Sequence, residues 1–262
     1  MNEIETYDGN IFLGIIISEN EYDLLLKTRD NVEIKLPISS IKNRDIVNTK
    51  TIGNEVLRAD PNKSLYLFAP SAFPIGNKEK YCRDFCVFFP SYNIGLGNYS
   101  MQFGAFLTPT VIGNVPLIMS GKYSFVNKNS PHFAIGLMYV NIPNLFAELG
   151  GGIAFGTMTL GNEFSHFSGS LGWGYSKLDG EWEIGDRPIV NFAGNYRTSN
   201  SIAMVVESWI LPGTEMQNIP IMISNRFIGR KFAVDIGGVF TKRSITRSLI
   251  PFPIINFTFH PG

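Results

Sequence analysis

Between Phe164 and Ile210 the chain alternates with a period of two. Phe167, Gly169, Leu171, Trp173 and Tyr175 fall on one side of an extended segment, and Ser168, Ser170, Gly172, Gly174 and Ser176 on the other. The pattern resumes with Val190, Phe192, Gly194 and Tyr196 against Asn191, Ala193, Asn195 and Arg197. After a turn at Thr198 to Asn200 it continues through Ile202, Met204, Val206, Ser208 and Ile210. Successive side chains of a strand point to opposite sides, so each run predicts a strand with one apolar and one small, polar side. A soluble sandwich buries the apolar side in a core. A membrane barrel turns it to lipid and encloses the polar one, and Ser, Gly, Asn, Arg and Glu on the second side fit that arrangement.

Twelve such runs follow Ser64, near residues 64–72, 82–96, 99–108, 115–126, 131–140, 149–160, 164–177, 187–198, 201–211, 219–229, 232–241 and 249–260. Their connections alternate in length. Gly97-Asn98, Asn127 to Ser130, Gly161 to Glu163, Ser199-Asn200 and Gly229 to Lys231 are tight. Pro74 to Tyr81, Pro109 to Asn114, Asn141 to Glu148, Leu178 to Asp186, Pro212 to Asn218 and Lys242 to Ser248 are longer. Short turns at one rim and long loops at the other predict an all-β, antiparallel up-and-down transmembrane β-barrel of about 12 strands over residues 64–262, with both chain ends at the short-turn rim.

Residues 1–47 have a different rhythm. Short β-rich runs at Ile4 to Tyr7, Ile11 to Ser18, Tyr22 to Thr28 and Val32 to Leu36 are separated by Asp8-Gly9-Asn10, Glu19-Asn20-Glu21 and Arg29-Asp30-Asn31, each a good tight turn. Pro37 to Ile41 closes the unit. Asp8, Gly9, Gly14, Leu36, Pro37 and Ile41 resemble the signature of small Sm-like or SH3-like β-barrels. Sm-like units bind RNA, but this segment lacks a cluster of aromatic and basic residues for stacking bases, so no nucleic acid is expected as a partner. Residues 48–63 lack periodicity and predict a linker.

Composition changes the picture in two ways. Charged residues make up 17% of the chain, against roughly 25% in ordinary soluble domains, while aromatics reach 13%. Twenty-two basic residues balance 22 acidic ones, which leaves no basic field for nucleic acid. No run approaches the roughly 18 apolar residues of a membrane helix, so spanning must be done by strands. Cys82 and Cys86, placed on one strand, would be about 13 Å apart at ~3.3 Å per residue, and free thiols are expected. The opening MNEIETYDGN has no basic start or apolar run, so the envelope reading expects an export leader upstream of Met1.

The terminal run Ile255, Phe257, Phe259 resembles the aromatic last strand of outer-membrane proteins, although His260-Pro261-Gly262 follows it. Tyr66 to Pro74 (YLFAPSAFP), Tyr92 to Leu96 with the turn Gly97-Asn98, Ala203 to Trp209 and Phe232 to Gly237 resemble a group of uncharacterised outer-membrane barrels common in Bacteroidota. The resemblance implies a fold and a location. It implies no activity.

Alternation places Lys122, Asn191, Asn195, Arg197, Glu207, Arg226 and Asp235 on the enclosed side as lumen-lining residues. Enclosed charges need partners, so Glu207, Arg226 and Asp235 are expected to form an ion-pair network. Arg197, Arg226 and Lys122 could instead select anionic solutes. His166-Phe167-Ser168 resembles the spacing in outer-membrane lipid hydrolases, with imidazole and hydroxyl on one face. Its inward face beside the tight turn at Gly161 to Glu163 favours a lining role. Gly150-Gly151-Gly152 lacks the context of a phosphate loop. His132, His166 and His260 have no metal-ligand spacing, so neither metal nor cofactor is expected. Trp173, Tyr175, Tyr196, Trp209, Phe227 and Tyr123 are candidates for interfacial girdles, with Trp209 pointing inward by register.

These readings together predict a non-enzymatic barrel of the bacterial outer membrane with its N-terminal module in the periplasm. It would act as a narrow channel or as a scaffold in an envelope complex. Outer-membrane lipid is the expected partner, with envelope proteins met through the module or the extracellular loops. The alternatives are a lipid hydrolase using His166 and Ser168, and a soluble β-barrel that binds a lipophilic ligand.

Overall fold

The computed structural model describes residues 1–28, 31–46, 49–52, 55–107, 115–125, 127, 129–142, 149–178, 180–246 and 251–261. They form two compact units, Met1–Ala59 and Asp60–Gly262.

In the first unit β1 (Asn2–Thr6), β2 (Ile11–Glu19), β3 (Asp23–Lys27), β4 (Glu33–Pro37) and β5 (Ile41–Ile46) make one antiparallel sheet in the order β4-β3-β2-β1-β5. A single 3-10 turn at Ile38–Ser40 leads into β5. The fifth strand exceeds the runs expected from sequence, because the polar stretch Lys42 to Asp45 hides its alternation. Ile4, Leu24, Leu26 and Leu36 are the buried core, with Phe12, Ile16 and Ile41 packed against them. The turn after β1 needs glycine: Gly9 has φ +87°, while the Asp8 carboxylate accepts the Asn10 main-chain N–H at 3.3 Å. Arg44 makes a two-pronged pair with Glu19 at 2.7 and 3.0 Å. The linker expected at 48–63 is not one element: β6 (Thr49–Ile52) and β7 (Glu55–Arg58) pair as a hairpin, and Asp60 onward belongs to the second unit.

The second unit is a closed barrel of twelve antiparallel strands, each paired with its neighbours in sequence. They are β8 (Lys80–Phe85), β9 (Phe89–Leu96), β10 (Tyr99–Ala105), β11 (Leu117–Phe125), β12 (His132–Ile142), β13 (Leu149–Gly161), β14 (His166–Leu178), β15 (Glu181–Arg197), β16 (Ile202–Ile210), β17 (Ile221–Ile228), β18 (Phe232–Phe240) and β19 (Phe252–Phe259). The seam closes where β19 meets β8, in the register Asn256↔Phe85 to Phe259↔Cys82.

The strand count agrees with the sequence reading through two compensating differences. The run at 64–72 is no strand: with residues 60–76 it lies inside the barrel, buried. The run at 82–96 is two strands, β8 and β9, joined at Cys86 and Val87, whose φ of 54° and 68° make a type I′ turn without glycine or asparagine. Pro74 to Tyr81 is therefore the exit from the lumen and not a rim loop, and Cys82 and Cys86 do not share a strand, though both are free. Leu178 to Asp186 is not a loop either. Strands β14 and β15 continue through it to a turn containing Gly180, with a register shift opposite Trp173 and Tyr175. The loop Pro109 to Asn114 and most of Asn141 to Glu148 lie outside the described residues.

An L-residue in the left-handed region costs about 1–2 kcal/mol, and a β-branched one is a marked outlier. Val87→Gly is therefore expected to stabilise the barrel by about 1 kcal/mol, read as a higher midpoint of urea unfolding.

Candidate functional site

The lumen is occupied by residues 60–76. Tyr66, Leu67, Ala69, Ser71 and Ala72 are at most 2% exposed. The segment enters with a tight turn at Asp60 to Ser64 and doubles back at Leu65 to Pro70, where the Tyr66 N–H reaches the Ala69 carbonyl at 2.9 Å. It leaves past β9, where a Cβ on Gly95 would stand 1.9 Å from the Gly76 carbonyl oxygen, so only glycine admits the crossing.

A backbone shut inside a barrel cannot be hydrated, and the wall supplies the missing partners. Glu207 Oε2 accepts three successive main-chain N–H groups, Leu67, Phe68 and Ala69, at 2.9, 2.9 and 3.0 Å. Its Oε1 accepts Trp209 Nε1–H at 2.6 Å. Lys122 Nζ does the converse, donating to the carbonyls of Ser64, Ser71 and Phe73 at 3.1, 2.6 and 2.8 Å. Arg226 donates through Nη2 to the Tyr66 carbonyl at 2.7 Å, through Nε to Asp235 at 2.6 Å and through Nη1 to Asp60 at 3.4 Å. Arg83 Nη2 adds the carbonyls of Tyr66 and Leu67 and stands 3.7 Å from Asp235. Asn256 Nδ2 donates to the second Asp235 oxygen at 3.2 Å.

Hydroxyls complete the attachment. Tyr66 Oη and Ser168 Oγ are 2.6 Å apart, Ser168 and Thr159 Oγ1 also 2.6 Å, and Thr159 Oγ1 accepts the Ala72 N–H at 2.8 Å. The Ile75 N–H reaches Ser100 Oγ at 3.0 Å. The histidines act as flat packing surfaces: His132 and His166 flank Phe73 with ring centroids at 4.8 and 5.1 Å, and His260 lies 5.2 Å from Tyr81. His166 Nδ1 is 3.0 Å from the Asn162 carbonyl oxygen, while Ser168 is fully buried between Tyr66 and Thr159.

All seven lumen-lining candidates are enclosed, each 8% exposed or less. Lys122, Glu207, Arg226 and Asp235 converge on the inserted segment. Asn191, Asn195 and Arg197 instead serve the wall: Asn191 Nδ2 donates to the Ser208 carbonyl, Asn195 Nδ2 to the Phe164 carbonyl, and Arg197 to the carbonyls of Ser199 and Asn200 in its own turn. The expected three-member ion network differs in membership. Arg226 and Asp235 pair, but Glu207 spends its carboxylate on main-chain N–H groups, and Asp60 and Arg83 take the remaining places. Pro70 does not mark residues 60–76 in the sequence, because the barrel strands carry prolines of their own, Pro90 in β9, Pro188 in β15 and Pro253 in β19.

Removing the Glu207 carboxylate strands three enclosed N–H donors, so Glu207→Ala is expected to cost about 3–5 kcal/mol in urea unfolding. Tyr66→Phe and Ser168→Ala, each about 1 kcal/mol, should be non-additive in a double-mutant cycle. Burial pushes the His260 imidazole from 6.5 down to about 4, against an upward pull from Asp60. The unfolded chain accepts a proton that the folded one refuses, so this contribution is fully present above pH 6.5 and is lost as pH falls toward 4. His260→Gln should flatten that loss by about 1–3 kcal/mol, measured as the difference between the two proteins' stability–pH curves.

In comparisons with known proteins, no family model and no curated sequence matches this chain, so the functional argument rests on the geometry of the lumen and wall.

Proposed function

We propose that this chain is a non-enzymatic integral barrel of the bacterial outer membrane, closed by its own residues 60–76 and serving as a scaffold in an envelope complex. The observation that carries the proposal is the inverted distribution of polarity. On β12 the outward Phe133, Ile135 and Leu137 are 43%, 55% and 51% exposed, and on β18 and β19 Ile236, Ile255 and Phe257 are 52%, 51% and 45% exposed, while Glu207 and Arg226 are at 0% and 1%. An apolar exterior running around a closed barrel far exceeds the few hundred Å² that soluble monomers usually expose. Lipid is the solvent that suits it.

Both rims carry rings with polar edges, as an interface favours. Tyr99, Tyr123 and Phe125 pack in series at the short-turn rim, their centroids 4.9 and 5.1 Å apart, the first pair tilted and the second edge-to-face. At the other rim Tyr139, Tyr175 and Trp182 cluster, with Lys177 Nζ 6.0 Å from the Trp182 ring.

Between channel and scaffold, the occupied lumen favours the scaffold. The cations that would have selected anions, Lys122 and Arg226, hold main-chain carbonyls instead. A hydrolase would need Ser168 Oγ beside a substrate, and that oxygen is enclosed by Tyr66 and Thr159. We assign the short-turn rim and the N-terminal unit, read as an Sm-like module, to the periplasmic side. Partner proteins would be met there or at the loops of the opposite rim.

Two measurements test the reading. The protein should stay with membranes through alkaline carbonate washing, and monodisperse behaviour without detergent would overturn the membrane assignment. In planar bilayers the wild type should show no steady conductance, whereas Glu207→Ala, with its plug loosened, should flicker open. A steadily conducting wild type would overturn the scaffold in favour of a channel.

A further inference from the structure

The outward side of the wall is mostly apolar, and its polar interruptions differ in kind. On β17 the enclosed Ser224 and Arg226 turn Asn225 outward, where it is exposed. Its register partners on the neighbouring strands are Met204 and Ile236, both apolar and exposed, and Ile223 and Phe227 flank it along β17. Among the described residues no hydrogen bond reaches its side chain. An amide set among acyl chains forfeits the hydrogen bonds that water would give it, and its apolar neighbours offer none in return.

We propose that two copies of this chain pair through β17 in the membrane, with their Asn225 amides bonded to each other. The proposal rests on the outer-membrane reading. A symmetric pair inserted in one direction has its two-fold along the membrane normal, which preserves depth and sets each residue near the axis opposite its own copy. An amide suits that relation, because it donates through Nδ2 and accepts through Oδ1 and the pair makes two reciprocal hydrogen bonds. A face of this kind must also be uncharged, since the two-fold sets like against like. The outward positions around Asn225 meet the condition, being Met204, Val206, Ile223, Phe227, Val234 and Ile236. Strand β8 does not. There Tyr81 and Arg83 face inward and Lys80 and Asp84 outward, so a two-fold would oppose each charge to itself.

The relief of the wall agrees with this axis. Strand β16 is one bank of a hollow of about 400 Å³ on the outer surface, where Phe167, Gly194 and Tyr196 lie across from Met204 and Val206. Within 4 Å a Cβ on Gly194 would meet only Phe167 Cδ2 at 3.7 Å and the His166 carbonyl oxygen at 3.9 Å. Those are ordinary contacts, so the backbone does not demand glycine here, and the missing side chain is what leaves the hollow. The two-fold brings β18 of the second copy opposite β16, and the exposed Ile236 on that strand then faces the bank.

The test uses the full chain with Cys82→Ser and Cys86→Ser, reconstituted in liposomes of phosphatidylethanolamine and phosphatidylglycerol, with heat-modifiable migration on gels confirming that each variant is folded. With Ile223→Cys added, a short bis-maleimide should link the protein into a species of twice the chain's mass. Phe133→Cys on β12 should give none. In the Ile223→Cys protein, Asn225→Leu should lower the linked fraction about tenfold, and Asn225→Gln, which keeps the amide, should preserve it. Equal linking from β12 and β17, or an Asn225→Leu protein that links as well as its parent, would overturn the proposal. Protein that floats with the liposomes but yields only monomer overturns the pair alone, lipid then being what covers β17, whereas protein that does not float overturns the membrane reading as well.

Discussion

A peptide segment enclosed by a protein wall has lost its water, and the barrel is built around that debt. Residues 60–76 present both N–H groups and carbonyls, and the wall answers them with charged side chains and hydroxyls. Glu207 collects three donors at the tip, and Lys122 collects three acceptors lower down. Neither is a conventional ion pair. Each is a full charge solvated by oriented peptide dipoles, the arrangement that lets a charge be enclosed without a counter-ion in contact. The Arg226, Asp235, Asp60 and Arg83 cluster then binds the Tyr66 turn from the seam side. Charges that a porin would use to sort ions are here used to hold a backbone still.

The same constraint explains the change of wall chemistry with height. Where main chain fills the lumen, the wall is Ser, Thr, Asn, Lys and Arg. Where the plug ends in Phe68, the wall becomes Met138, Phe155, Ile189 and Trp209. Side-chain polarity follows the local filling, and the strand alternation carries through both levels as far as the register shift at Trp173 and Tyr175.

Much of this was legible from periodicity. A period of two survives wherever one face is uniformly apolar, so the enclosed positions of Lys122, Glu207, Arg226 and Asp235 could be read from their parity alone. What could not be read were the places where chemistry and geometry part company. Phe85 to Phe89 looks like uninterrupted strand because Cys86 and Val87 are neither glycine nor asparagine, yet they turn the chain at positive φ. Tyr66 to Pro74 is as apolar as any strand, and alternation does not distinguish a segment of the wall from one filling a lumen. Leu178 to Asp186 has turn-like composition, but the turn containing Gly180 is tight and the flanking residues extend β14 and β15. Partners from distant sequence, such as Asp60 with Arg226, lie beyond any local pattern.

The inserted segment precedes every strand of the barrel in the chain, yet it is gripped by side chains from β8 at one end of the sheet to β19 at the other, where Thr258 accepts the Asn62 amide. The seam of β19 against β8 also brings together the two sides of that grip. A cylinder of the same strands without residues 60–76 would be an empty tube whose polar lining is unmet. The segment is in this sense a mandrel, the form against which the inner surface of the sheet is matched.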